Sequence, residues 1–74
     1  MKTLPTKQTV ARRIRLMMEV HNLTQKQAAK LCDMPEATLE GYIRALNMPG
    51  GESIARMAKG LGVSADWLLD GDAV

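Results

Sequence analysis

The sequence predicts an all-α fold, a compact five-helix bundle, on three observations. Apolar residues recur at i, i+3 and i+4 along most of the chain. No alternating apolar–polar run of strand type appears. Glycine and proline cluster at the expected helix ends. The 74 residues are read as one domain, 1–74. A chain of this size has a small core and buries roughly 60% of its unfolded surface.

The first helix is expected over about 6–21, capped by Thr6 or Thr3 and begun near Pro5. Val10, Ile14, Met17 and Met18 form its inward stripe, and Arg12, Arg13, Arg15 and Glu19 lie on other faces. The second helix, about 24–32, opens with Thr24 and has Gln27 three positions on, the two halves of a capping box. Ala28, Ala29, Leu31 and Cys32 follow at helical spacing, and the two small alanines allow a close helix approach. Asp33 stands where the chain must turn, and aspartate tolerates left-handed backbone.

Pro35 is expected at the first position of a third helix, about 35–46, where its missing amide hydrogen has no helical partner to lose. Thr38, Leu39, Tyr42, Ile43 and Leu46 set its period. After a loop over 47–50, a fourth helix spans about 51–61 with Ile54, Met57, Ala58 and Leu61 inward, and left-handed Gly62 ends it. Ser64 caps a last helix, about 65–69, with Leu68 inward and Asp70–Gly71 as its stop; residues 1–4 and 71–74 are expected to be loose.

The run Leu23–Arg44 thus reads as two short helices and a tight turn, a helix-turn-helix, whose second helix can enter a DNA major groove. The same pattern also suits two bundle helices that touch no DNA. Charge is uneven: residues 1–30 carry seven basic groups and one acid, net +6, whereas residues 31–74 carry three basic groups and seven acids, net −4. A basic N-terminal half can face phosphates while the acidic half faces away, against the alternative of scattered surface charge.

Composition argues against other classes. There is no apolar run of about 18 residues, so no membrane span is expected. No apolar signal-peptide core opens the chain, so a cytoplasmic location is expected. Cys32, the sole cysteine, sits at an apolar helical position and reads as a core residue. His21 and Cys32 lie on different helices, and no Cys/His/Asp cluster has metal-ligand spacing. No glycine-rich phosphate loop follows a strand. His21 reads as a solvated group at a helix C-terminus, and Asp66, Asp70 and Asp72 as a cap region and tail. The expectation is no enzyme, metal, cofactor or small-molecule substrate.

Several segments together resemble the lambda-repressor/Cro-type helix-turn-helix family of phage repressors and bacterial regulators over about residues 10–70. They are Leu23-Thr24-Gln25, Thr38-Leu39, Tyr42, Pro49, Ala58-Lys59-Gly60-Leu61-Gly62-Val63-Ser64 and Asp66-Trp67-Leu68-Leu69-Asp70-Gly71. The last two are similar to the end of the DNA-binding domain of temperate-phage repressors. The resemblance implies double-stranded DNA as partner, with Gln25 at a position that contacts phosphate and braces a base contact. It places the third helix in the major groove with Glu36, Ala37, Glu40, Gly41 and Arg44 outward, Thr38 beside them, and Arg44 near the backbone. Lys26 and Lys30 would add phosphate contacts, and Lys2 and Lys7 an arm. In the family, the loop before the fourth helix and the final helix often form a dimer contact, which here implies a homodimer through Leu46, Met48 and Trp67.

The chain departs from the family in three places. The candidate reading face is acidic and small, Pro35 replaces the usual Ser or Thr, and Met18 and Ile43 stand where many members place an Arg–Glu ion pair. An apolar replacement of a partly buried ion pair is often neutral or stabilising, because two charges no longer need desolvation. Leu16 and Val20 lie off the main stripe of the first helix. Two functions stay open: a sequence-specific repressor on a two-fold operator, or a protein-interaction module on the same fold. Larger phage repressors continue into a dimerising, self-cleaving domain, so the chain reads either as a short regulator or as an N-terminal domain.

Overall fold

The computed structural model describes residues 5–69. They form α1 (Lys7–Val20), α2 (Gln25–Leu31), α3 (Glu36–Ile43), α4 (Gly51–Leu61) and α5 (Ala65–Leu69), with no strand among the described residues. The all-α, five-helix expectation holds. The expectations for Lys2 and Thr3, for loose ends and for the stop at Asp70–Gly71 fall outside the described residues.

The helix starts follow the chemistry of the caps. Thr6 Oγ1 accepts from the Thr9 amide at 3.1 Å and opens α1. At α2 the capping box is complete: Thr24 Oγ1 accepts from the Gln27 amide at 3.1 Å, and Gln27 Oε1 accepts from the Thr24 amide at 2.8 Å. Ser64 Oγ accepts from the Trp67 amide at 3.0 Å at the start of α5. Pro35 differs from expectation. Its ψ of 145° is extended, so it stands just outside α3 as the N-cap, and Glu36 is the first helical residue.

α1 packs against α3 and α5, α2 against α3 and α4, and α4 against α5. The shared core includes Val10, Ile14, Leu39, Met57 and Leu68, with no buried polar side chain among the described residues. Met17, Met18, Tyr42 and Ile43 are half-buried against it, so the apolar residues Met18 and Ile43 both join the core, and α1 does pack on α3. Ala11 is also fully buried. Three residues that fit the helical period lie outside the core. Leu31 is 52% exposed, because it falls outside the stripe of Ala28, Ala29 and Cys32. Thr38 is exposed. Leu46 is 56% exposed, because α3 ends at Ile43 and the chain has turned before reaching it.

Four helices end in the same way. The Leu23 amide donates to Met18 O at 2.8 Å, Met34 to Ala29 O at 3.1 Å, Leu46 to Gly41 O at 2.9 Å, and Val63 to Ala58 O at 2.9 Å. Each bond closes over a left-handed residue: Asn22 (φ 54°), Asp33 (φ 53°), Ala45 (φ 58°) and Gly62 (φ 74°). This is the Schellman closure, which pairs helix-end carbonyls and follows them with an apolar residue that returns to the core. Leu23, Met34 and Val63 do return to it. Ala45 and Leu46 break the pattern, since alanine pays for the left-handed turn and Leu46 faces outward.

A close helix approach lies at Gly60. A Cβ there would stand 2.5 Å from Leu31 O and 2.9 Å from Cys32 Cα. The obstacle is backbone, which cannot rotate aside as a side chain would. Gly60→Ala is expected to destabilise the fold by about 1–3 kcal/mol through overpacking, overriding the roughly 1 kcal/mol that alanine gains in helix propensity. A lower urea midpoint at unchanged slope is the check. Ala45→Gly should act in the opposite sense. It relieves left-handed strain of about 1 kcal/mol and should raise the thermal midpoint by a few degrees.

Candidate nucleic-acid interface

α2 and α3 are short, seven and eight residues, and sit side by side across the Asp33 turn. Helices of this length are marginal alone in water, so tertiary burial of Ala28, Ala29, Cys32 and Leu39 holds them. Burial also pushes the Cys32 thiol up, which keeps it a neutral core group.

The exposed rim of the pair brings three predicted residues together. Gln25 Nε2, at the first residue of α2, donates to Glu40 Oε1 at 3.3 Å. Arg44 Nη1, just past α3, stands 3.5 Å from Glu40 Oε2. One carboxylate is thus held between an amide from α2 and a guanidinium one turn along its own helix. An exposed pair at this distance contributes little stability, about 0–1 kcal/mol; its consequence is orientation. Glu36, Ala37 and Thr38 are exposed on the first turn of α3. Lys26, the second residue of α2, and Lys7, the first of α1, are also exposed.

Gly41 is a correction. It is buried, not outward: a Cβ would meet Asn47 Nδ2 at 3.0 Å, and its carbonyl takes the Leu46 amide. The turn after α3 folds back over this position, so a side chain there would have to displace Asn47. Trp67 does not project freely either. Arg13 covers its ring at 4.7 Å from the centroid and donates to its carbonyl at 2.6 Å.

Three arginines outside the predicted set fix the frame of the rim. Arg15 Nη1 donates to Ile43 O at 2.6 Å, a cation at the C-terminal end of α3. Arg13 joins α1 to α5. Arg56 on α4 reaches the turn of the motif, donating to Asp33 O at 2.7 Å and Asp33 Oδ2 at 2.9 Å, and pairs with Glu52 at 2.8 Å. The Glu52 hydrogen bond first, then the charges of Glu52 and Asp33, hold this guanidinium even more firmly protonated than usual. The i, i+4 spacing of Glu52 and Arg56 was readable in the sequence; the reach to Asp33 carried no local signal. Tyr42 Oη and Ser53 Oγ, 3.0 Å apart, tie α3 to α4.

Among the described residues no group of three or more His, Cys, Asp or Glu side chains is placed to hold a metal, and no helix is long and apolar enough to cross a membrane. The arrangement is a helix pair with an exposed rim, on which one carboxylate lies between two donors and cations stand nearby.

Such a pair on a five-helix frame defines the class of helix-turn-helix bundles. A family described as helix-turn-helix matches residues 14–68, and the chain belongs to it, in the lambda-repressor/Cro type. The chain is similar to the P22 c2 repressor protein, whose structure was solved in complex with a synthetic operator: TM-score 0.77, 27% identity, 85% of this chain and 96% of that one. It is also similar to a hypothetical transcription factor, NHTF, from Neisseria: TM-score 0.77, 26% identity, 92% of this chain and 82% of that one. No curated protein matches it in sequence.

Arg13→Ala removes both the carbonyl bond and the cover over the only tryptophan. The fold should lose about 1 kcal/mol, and Trp67 emission should shift to the red with greater iodide quenching, read by fluorescence and urea unfolding.

Proposed function

We propose that the chain is a sequence-specific DNA-binding transcriptional regulator, a repressor of phage, prophage or bacterial type that acts as a single domain in the cytoplasm. The carrying observation is the exposed α2–α3 rim, with Gln25, Glu40 and Arg44 drawn together on it, in a chain of this family. Similarity to a repressor solved on its operator supports the reading. α3 lies in the major groove with Glu36, Ala37, Thr38 and Glu40 toward the base edges, while Gln25, Lys26, Lys7 and Arg44 meet phosphates. Base contacts then set sequence and the cations set register and affinity. Repression follows from occupying a promoter and excluding polymerase. The role is binding, with no catalytic step.

The operator is two-fold and the protein binds it as a homodimer. Leu46 and Met48 support this: they are 56% and 42% exposed in the turn that follows α3. Of the four apolar residues that close a helix end, Leu46 alone is left uncovered, the place a second copy would fill. The uncovered part of Trp67 adds to the same contact. Half-sites then lie about 10 bp apart, one helical turn.

The acidic α3 favours a second reading, an interaction module without specific DNA binding. Selection of random duplexes on the purified chain separates the two. A regulator enriches a two-fold site bound far above random DNA; an interaction module enriches none. Arg44→Ala should weaken binding to all sequences alike and lower the salt slope by about one. Sedimentation should show a dimer that Leu46→Glu converts to monomer; monomer alone at high micromolar wild-type chain contradicts the dimer.

A further inference from the structure

We infer that Glu40 determines sequence specificity as a filter: its carboxylate accepts from the exocyclic amine of one cytosine in each half-site and lowers affinity for every other sequence. The inference rests on the DNA-binding reading and deepens it by naming the base pair read.

An ionised carboxylate only accepts hydrogen bonds. Along the major groove, guanine offers two acceptors, thymine an acceptor beside a methyl group, and adenine a donor next to an acceptor. Cytosine offers a donor without that adjoining acceptor. A fixed carboxylate is therefore satisfied at cytosine, half-matched at adenine and opposed at guanine and thymine.

Glu40 has two partners before DNA arrives. Gln25 Nε2 holds one oxygen from α2 at 3.3 Å, and Arg44 faces the other at 3.5 Å. Glu40 itself remains exposed, so its oxygens keep free lone pairs for an incoming donor. The bias from its two partners lowers the ordering cost of docking relative to a glutamate without partners. Glu36, the other acid on this face, has no hydrogen-bond partner among the described residues, so its carboxylate has no comparable tether.

The same charge carries a penalty. A carboxylate close to the phosphates is repelled on any DNA, and Glu40 also competes with phosphate for the Arg44 guanidinium. Both effects act on all sequences, and a cytosine amine offsets them most fully. Glu40 therefore suppresses non-specific binding as well as rewarding the right base.

The test compares the wild-type chain, Glu40→Gln and Gln25→Ala, each checked for unchanged helical circular dichroism. Duplex selection comes first. Anisotropy titrations then use the selected duplex, a version with the key C·G pair changed to T·A, and random duplex. Wild type should enrich one C·G pair at the same place in both half-sites and lose about tenfold or more on its replacement. Glu40→Gln should lose less than about threefold on that change, bind random duplex more tightly than wild type, and show a steeper salt dependence. Gln25→Ala should fall between the two in discrimination. If wild type enriches a site and Glu40→Gln keeps the same discrimination at every position, the inference is overturned while DNA binding stands. If wild type enriches no site, the DNA-binding reading itself fails and takes the inference with it.

Discussion

The close seating of α4 on the end of α2 is the constraint on which the rest of the molecule depends. Gly60 brings the α4 backbone against Leu31 and Cys32, and Ala28 and Ala29 leave α2 without bulk on its buried face. Neither α2 nor α3 has the length to persist alone. α2 is placed by α4, α3 by α2 and α1, and the exposed rim inherits its geometry from that chain of contacts. Any group that forced α2 outward at Gly60 would also move Gln25 relative to Glu40. The packing of a small core and the shape of a binding surface are here one problem.

Arginine completes that frame where the core cannot reach. Arg15 ends α3, Arg13 joins α1 to α5, and Arg56 pins the Asp33 turn. Each donates to a main-chain carbonyl in the last turn of a helix or just beyond it, where acceptors lack helical partners. The basic residues of α1 that read as a phosphate-facing surface are therefore partly spent within the fold. The positive side that remains for DNA is narrower than the net charge of the N-terminal half implies.

Much of the fold was legible because its signals are local. Thr24 and Gln27 carry both halves of a capping box, Gly62 and Asp33 can turn left-handed, and the stripe of α4 has a clean helical period. What failed was non-local or lacked a residue signature. Nothing about an alanine marks position 45 as left-handed, so α3 was read through to Leu46. Leu31 fits an apolar period yet lies beyond the face that α4 covers. Gly41 looks outward on a helical wheel, but the turn folding back over it through Asn47 cannot be seen from α3 alone. At the candidate site, the i, i+4 spacing of Glu40 and Arg44 is a local feature that a helix turns into proximity. The hydrogen bond from Gln25, fifteen residues away, needed the three-dimensional structure.

The α2–α3 rim as the DNA surface is tested most directly by amide chemical-shift mapping of labelled chain titrated with a short duplex. The largest changes should fall at Gln25, Lys26 and Glu36–Arg44, with a smaller set at the start of α1 near Lys7, and the core of α4 and α5 should stay unmoved. Changes centred on α4 and α5, or on the exposed Leu16 and Val20 face of α1, would contradict that placement.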